Sequence, residues 1–182
     1  MATPRPRFPF RNNSQDASYT ILLDWWAALE ADKGERADLK RAENPLRVAF
    51  SPAYHDLLRR LQEAGYRLGI GDRERLAVLA GLAAHVKQHT DTGRSLATQM
   101  GSPKPGSDKA TVSELRFRRI LAIDDLDDLY SQLRRAISLL DGTANLVDLA
   151  RVLFRWRPIA EQNPYDPRKN WAYDYYAAAP QP

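Results

Sequence analysis

The sequence predicts an all-α protein, a compact multi-helix bundle with no significant β-sheet. Three observations carry this reading. No stretch of useful length alternates apolar and polar residues with the period of two that a half-buried strand requires. Apolar residues instead recur at i, i+3, i+4 and i+7, most plainly at Leu126, Leu129, Tyr130, Leu133, Ile137 and Leu140. Ser, Asp, Asn, Pro and Gly stand where helices begin and end. The 182 residues, 43% hydrophobic and 27% charged, suffice for a real core. That core forms a single domain over 17–176, or two small lobes, 17–90 and 110–176, that share it and are joined by a Gly/Ser/Pro-rich loop over 91–109.

Residues 1–16 are rich in Pro, Arg and Asn and read as a flexible, extended arm. A helix follows over 17–31, with Asp16 as its cap and Leu22, Trp25, Trp26 and Leu29 inward. Adjacent tryptophans cannot point the same way on a helix, so one belongs to the core and the other meets a second element or subunit. GERADLKRA is a short helix ended by Asn44-Pro45. Glu35 and Asp38 sit near its N-terminal end and Lys40 and Arg41 near its C-terminal end, as the macrodipole prefers. Ser51-Pro52 opens another helix, which continues through Tyr54, Leu57, Leu58 and Leu61 to Gly65. Gly69-Ile70-Gly71 lacks the preceding strand of a phosphate loop and reads as a turn. Asp72 caps DRERLAVLAGLAAHVKQH, where Leu76, Leu79, Ala83 and Val86 form an apolar stripe and the small residues admit a close neighbour. From Thr90 to Lys109 runs the one long loop, anchored by Leu96 and Met100.

Three further helices occupy 111–157. The first opens with the capping-box spacing of Thr111 and Glu114, and places Phe117, Ile120 and Leu121 on one side. The second is capped by Asp124 or Asp125, and Gly142 stands where a left-handed helix end favours glycine. The third starts at Asn145, with Asp148 near its positive end, and runs through Leu146, Leu149, Ala150 and Leu153. After a proline-rich connector, Asp166-Pro167 caps a last helix, RKNWAYDYY, in which Trp171 and Tyr175 share a face; 177–182 is a tail.

Composition excludes several functions. There are no cysteines, so disulfides and thiolate metal sites are ruled out, and no apolar run is long enough to cross a bilayer. The N-terminus lacks the apolar core of a secretory signal, which points to a soluble cytoplasmic protein with no membrane partner. His85 and His89 have the i, i+4 spacing of a zinc pair, but no third ligand is evident beyond Asp91 nearby, and ordinary surface or core histidines explain them. Asp124, Asp125, Asp127 and Asp128 form the only acidic cluster. They begin a helix, where exposed backbone N–H groups favour carboxylates without any metal. No nucleophile–base or Walker pattern is present, so we expect no catalysis, no cofactor and no small-molecule substrate.

The net charge of +4 and pI of 9.4 come mostly from arginine, whose planar fork grips phosphate. Arginines sit off the apolar stripe in all three central helices: Arg116 and Arg119 together on one side, then Arg134 and Arg135, then Arg151. They form either a guanidinium surface facing a polyanion, or solvated faces paired with the interleaved Asp and Glu in a pure protein–protein scaffold. A helix-turn-helix reader is a third option, supported only by Gly142-Thr143-Ala144 as its turn.

Seven blocks in order, DWWAAL, GERADLKRA, TGRSLATQM, ELRFRRIL, LYSQLRRAISLL, LARVLFRW and RKNWAYDYY, are spread over most of the chain, from about Ala17 to Tyr176. In this order and spacing the chain resembles the CasB family, the small subunit of the type I-E CRISPR surveillance complex Cascade. The resemblance implies a helical, non-catalytic subunit present in two copies, contacting the large and backbone subunits. Its basic surface would steady the assembly of CRISPR RNA with target DNA and the displaced non-target strand. Carried onto this chain, the basic positions are Arg116, Arg134, Arg135 and Arg151, with Lys40, Arg41 and Arg73. The family pattern often has a basic residue a few positions into the TGRSLATQM block, where this chain has Ala97-Thr98-Gln99 and carries Arg94 ahead of Leu96.

Overall fold

The computed structural model describes residues 7–11 and 15–180. Its contacts gather into two compact units, one reaching to Ala84 and one beginning at His85. Ten α-helices, one short 3-10 helix (Ile159–Glu161) and one very short pair of strands make up the regular structure of the described residues.

In the first unit, helix α1 (Ala17–Ala31) begins at Asp16, whose carboxylate accepts the Ser18 N–H. Leu22, Trp25 and Leu29 are buried, and the Trp25 indole donates to Ala53 O at 3.0 Å. Trp26 is half-buried, so the tryptophan pair divides as its helical geometry requires. Helix α2 (Lys33–Arg41) is capped by Asp32, and α3 (Pro45–Val48) by Asn44. The Asn44-Pro45 step therefore starts a short helix as well as following one, because proline fits the first helical turn. Helix α4 (Pro52–Glu63) starts at Ser51 as expected. It ends with Gly65 at φ 86°, where the Tyr66 N–H reaches back to Leu61 O at 3.0 Å.

Helix α5 (Ile70–His85) corrects three expectations at once. Ile70 and Gly71 belong to its first turn rather than to a free turn, and Asp72 lies inside that turn instead of capping it. The helix also stops at His85. Lys87 and Gln88 donate their N–H groups to Gly142 O, and Gln88–His89 becomes strand β1. Its partner is β2 (Thr143–Ala144), aligned in parallel with Gln88 opposite Thr143 and His89 opposite Ala144.

Part of the stretch expected to be a flexible arm is docked on this unit. Phe10 is fully buried and meets the Tyr19 ring edge-on at 5.4 Å. Arg7 and the Ser18 N–H both donate to the Tyr66 hydroxyl, which itself donates to Asp16, and Arg11 pairs with Asp72 at 2.8 Å. Residues 1–6 and 12–14 of the arm lie outside the described residues.

The second unit is organised by Asp148, which is buried near the start of α9 (Leu146–Leu153). Its Oδ2 accepts the Leu96 N–H at 2.8 Å and the Trp171 indole N–H at 3.1 Å. One carboxylate thus ties α9 to α6 (Leu96–Gly101) and to α10 (Pro167–Ala178). Helix α6 lies within the stretch expected to be a loop; Ser95 caps it, and Leu96, Ala97 and Met100 are buried. The backbone of α6 closes on that of α10 at Gly101, where a Cβ would stand 2.4 Å from Tyr175 O. Helix α10 runs to Ala178, two residues into the expected tail.

Helix α7 (Glu114–Leu121) does not form the expected capping box. Thr111 instead donates both its N–H and its hydroxyl to Ser102 O, and Ser113 occupies the cap position. Helix α8 (Leu126–Leu139) is capped by Asp125, which accepts from the Asp127 and Asp128 N–H groups. At its end Asp141 and Gly142 both have positive φ, and Gly142 N–H reaches Ile137 O. Trp156 and Trp171 are buried against each other, and the Arg168 guanidinium lies 4.1 Å from the Trp156 ring centroid.

Candidate nucleic-acid interface

The buried stripes of α7 and α8 decide where their arginines go. Phe117 and Ile120 fix α7 against the core, and Leu129, Leu133 and Ile137 fix α8. On the flank of this pair lies a groove of about 440 Å³. Arg116 and Arg119 reach it from α7; Gln132, Arg135 and Ser138 reach it from α8, at the i, i+3, i+6 spacing of one helical face. Val112, Ile120 and Leu139 supply apolar lining, and among the described residues no carboxylate lines the groove. Arg116, Arg119 and Arg135 are exposed and take no hydrogen-bond or ion-pair partner among the described residues. Three unpaired guanidinium groups around one concavity have the charge and the donors that several phosphate oxygens could accept from.

The other candidates stand elsewhere. Arg134, one residue before Arg135, turns away from the groove; it is half-buried, and its charge works against the burial that raises the Tyr130 phenol's pKa. Arg151 is ion-paired with the buried Asp148 at 2.5 Å. In the first unit, Lys40 is half-buried in the last turn of α2, and Arg41 pairs with Asp38. Arg73 is exposed in the first turn of α5, beside a surface hollow that also involves Phe8, Tyr66 and Arg67. Gln132 and Ser138 were not among the sequence candidates. The signal that points to them is their spacing of three residues on either side of Arg135, along the exposed flank of α8.

The acidic cluster has structural duties. Asp125 caps α8, while Asp124 accepts from the Ile159 N–H at 2.9 Å and from Arg168 at 3.2 Å. His85 and His89 no longer share a helix, and His89 Nδ1 accepts the Leu146 N–H at 3.2 Å. Among the described residues no three His, Asp or Glu side chains converge on a metal position, and no helix is long and apolar enough to cross a membrane. The helix-turn-helix idea fails on burial. Thr143-Ala144 is paired into the small sheet, and Asn145 and Leu146, the start of the would-be reading helix, are buried.

Residues 35–176 match the model of the CRISPR-associated protein Cse2 family. The chain belongs to that family. It is the CasB family that the sequence blocks resemble. Among solved structures, CasB from Thermus thermophilus is 25% identical with a TM-score of 0.64, covering 88% of this chain and 98% of that one. A second Cse2-family structure from Thermus thermophilus is 28% identical, with a TM-score of 0.61 and coverage of 88% and 98%. A chain of E. coli Cascade bound to a PAM-containing double-stranded DNA target shares the fold at 19% identity, with a TM-score of 0.63 and coverage of 88% and 94%. Among curated proteins none matches this chain.

Proposed function

We propose that this Cse2-family chain is a non-catalytic Cascade subunit that holds nucleic-acid phosphates without reading sequence, and so stabilises the displaced strand when target DNA opens. The observation that carries this reading is the carboxylate-free groove lined by Arg116, Arg119 and Arg135. Exposed guanidinium groups on two rigid helices offer fixed positive charge to a phosphate backbone whatever base sequence it carries. The E. coli relative's presence in a DNA-bound Cascade supports the same direction. Under this reading the partners are CRISPR RNA, target DNA, the large and backbone subunits and a second copy of the chain. Arg73, Arg134 and Lys40 add longer-range positive potential rather than direct grip.

The scaffold reading keeps one specific support: Arg41 and Arg151 are held by Asp38 and Asp148. A single experiment separates the two. Arg116→Ala, Arg119→Ala and Arg135→Ala are combined in the assembled complex, and opened-duplex stability is measured against salt. Each phosphate that is no longer neutralised flattens the log–log slope by about 0.7 for a single strand. The triple variant is expected to reduce the slope by roughly 2 while still engaging a short guide-complementary strand. An unchanged slope and unchanged opened-duplex stability would hand the decision to the scaffold.

A further inference from the structure

On α10, Lys169, Tyr173 and Tyr176 stand at i, i+4 and i+7, on the side opposite the buried Trp171 and Tyr175. Tyr173 is 66% and Tyr176 43% exposed, so both rings are accessible to a partner. The Tyr176 ring is nevertheless fixed in orientation. It lies perpendicular to Phe117 at 6.4 Å and to Tyr175 at 5.4 Å, and its hydroxyl donates to Glu114 Oε1 at 3.0 Å. Phe117 and Glu114 belong to α7, so the tyrosine is seated against the helix that carries two of the groove arginines. Arg118, also on α7, is near enough for its charge to act on the Tyr176 phenol. Groove and tyrosine row therefore occupy the two flanks of one helix. Exposed Leu115 crowns that helix between them.

We infer that Tyr173 and Tyr176, with Lys169 and Arg118 beside them, form a stacking platform for the bases of a single strand that leaves the arginine groove and crosses α7. The inference rests on reading the groove as a phosphate track. Aromatic faces with interspersed cations suit an unpaired strand, because every base has a π face and every nucleotide a phosphate. The Glu114 carboxylate accepts the Tyr176 hydroxyl and steadies the ring. A preorganised ring stacks at little entropic cost.

The test uses the purified full chain at low salt and two probes of equal length, a thymidine oligonucleotide and an abasic phosphodiester strand. Tyr173→Leu and Tyr176→Leu should each weaken the base-bearing probe about 5- to 100-fold and leave the abasic probe and the salt slope unchanged. Tyr173→Phe should retain the wild-type affinity, because stacking needs the ring and not the hydroxyl. Tyr176→Phe also loses the Glu114 bond and should weaken the base-bearing probe less than Tyr176→Leu does. Quenching of 2-aminopurine placed in the strand should vanish with the leucine variants. Tyr173 makes no hydrogen bond or ring contact among the described residues, so its leucine variant keeps the test valid even if Tyr176→Leu loosens the fold. Suppose the leucine variants leave the gap between the two probes intact while the arginine triple variant weakens both. The platform is then wrong, the groove stands, and the tyrosine face belongs to a protein neighbour. Failure of the wild type to bind either probe overturns both readings.

Discussion

The Asp148 carboxylate, on the first turn of α9, accepts the indole N–H of Trp171 on α10 at 3.1 Å, inside the core of the second unit. The same oxygen also accepts the Leu96 N–H, the first backbone donor of α6. A residue placed by the sequence as a helix-start carboxylate therefore fixes three helices at once. Buried charge is tolerated there because several donors surround it.

Asp148→Ala should be among the most destabilising single changes in the second unit. It strands the Leu96 N–H and the Trp171 indole N–H away from water, at roughly 1–3 kcal/mol for each unsatisfied donor. Urea unfolding should show a loss of about 2–5 kcal/mol. A loss under about 0.5 kcal/mol would mean that these bonds are not made in solution.

Arg135→Ala and Arg151→Ala should separate cleanly. Arg135 has no partner among the described residues, so its removal should leave stability within about 0.5 kcal/mol and weaken nucleic-acid binding with a flatter salt slope. Arg151, about half-exposed and paired with Asp148, should cost up to about 1 kcal/mol in stability and leave the slope alone. Thermal melting and a salt titration on both variants decide this. The reverse pattern would exchange their roles.

Gly101→Ala forces a methyl group to within 2.4 Å of Tyr175 O, a backbone atom that cannot swing aside. We expect α6 and α10 to move apart, with a loss of about 1–3 kcal/mol seen in denaturant unfolding. Near-ultraviolet circular dichroism should change with it, because Trp171 and Tyr175 both lie on α10. A variant as stable as the wild type would show that the two helices are less tightly apposed.

Alkaline pH should unfold the protein early. Tyr54, Tyr66, Tyr130, Tyr175 and Tyr176 all have pKa values raised above the ordinary value near 10, first through burial. For Tyr66 the Asp16 carboxylate adds to this, and for Tyr176 the Glu114 carboxylate does. A raised phenol holds its proton more tightly folded than unfolded. Stability is therefore undiminished below about pH 10 and falls as pH climbs from there through the folded values. Denaturant midpoints at pH 9 and pH 11, with tyrosinate absorbance at 295 nm, should show the midpoint falling as phenolate appears. Constant midpoints would place these phenols in water.

Much of the helical order was legible because caps and stripes are local. Asp16, Ser51, Asp125, Asn145 and Asp166 start helices where their residue types said they would. The short helices α3 and α6 were not legible, since fewer than two turns of helix are too brief to show a period. The apparent capping box at Thr111 misled because Ser102 O, nine residues earlier, claims the same groups. The end of α5 was invisible for a related reason: its competitor is Gly142 O, more than fifty residues away. The arginines of the candidate site were legible as residues but not as a site. Arg134 and Arg135 are neighbours in sequence and diverge in space, and Arg151 is claimed by an aspartate three residues earlier.

By itself the sequence determined an all-α chain, its main helix starts, its arginine-rich character and the family whose blocks it carries. Each of these rests on interactions within a few residues or on composition. Tertiary structure alone decided which arginines face a carboxylate-free groove, which are held by aspartates, and where α5 gives way to a strand. These outcomes depend on how helices rotate against one another and on which distant backbone carbonyl reaches a donor first. Burying the apolar stripes fixes that rotation, and no local pattern of charge encodes it.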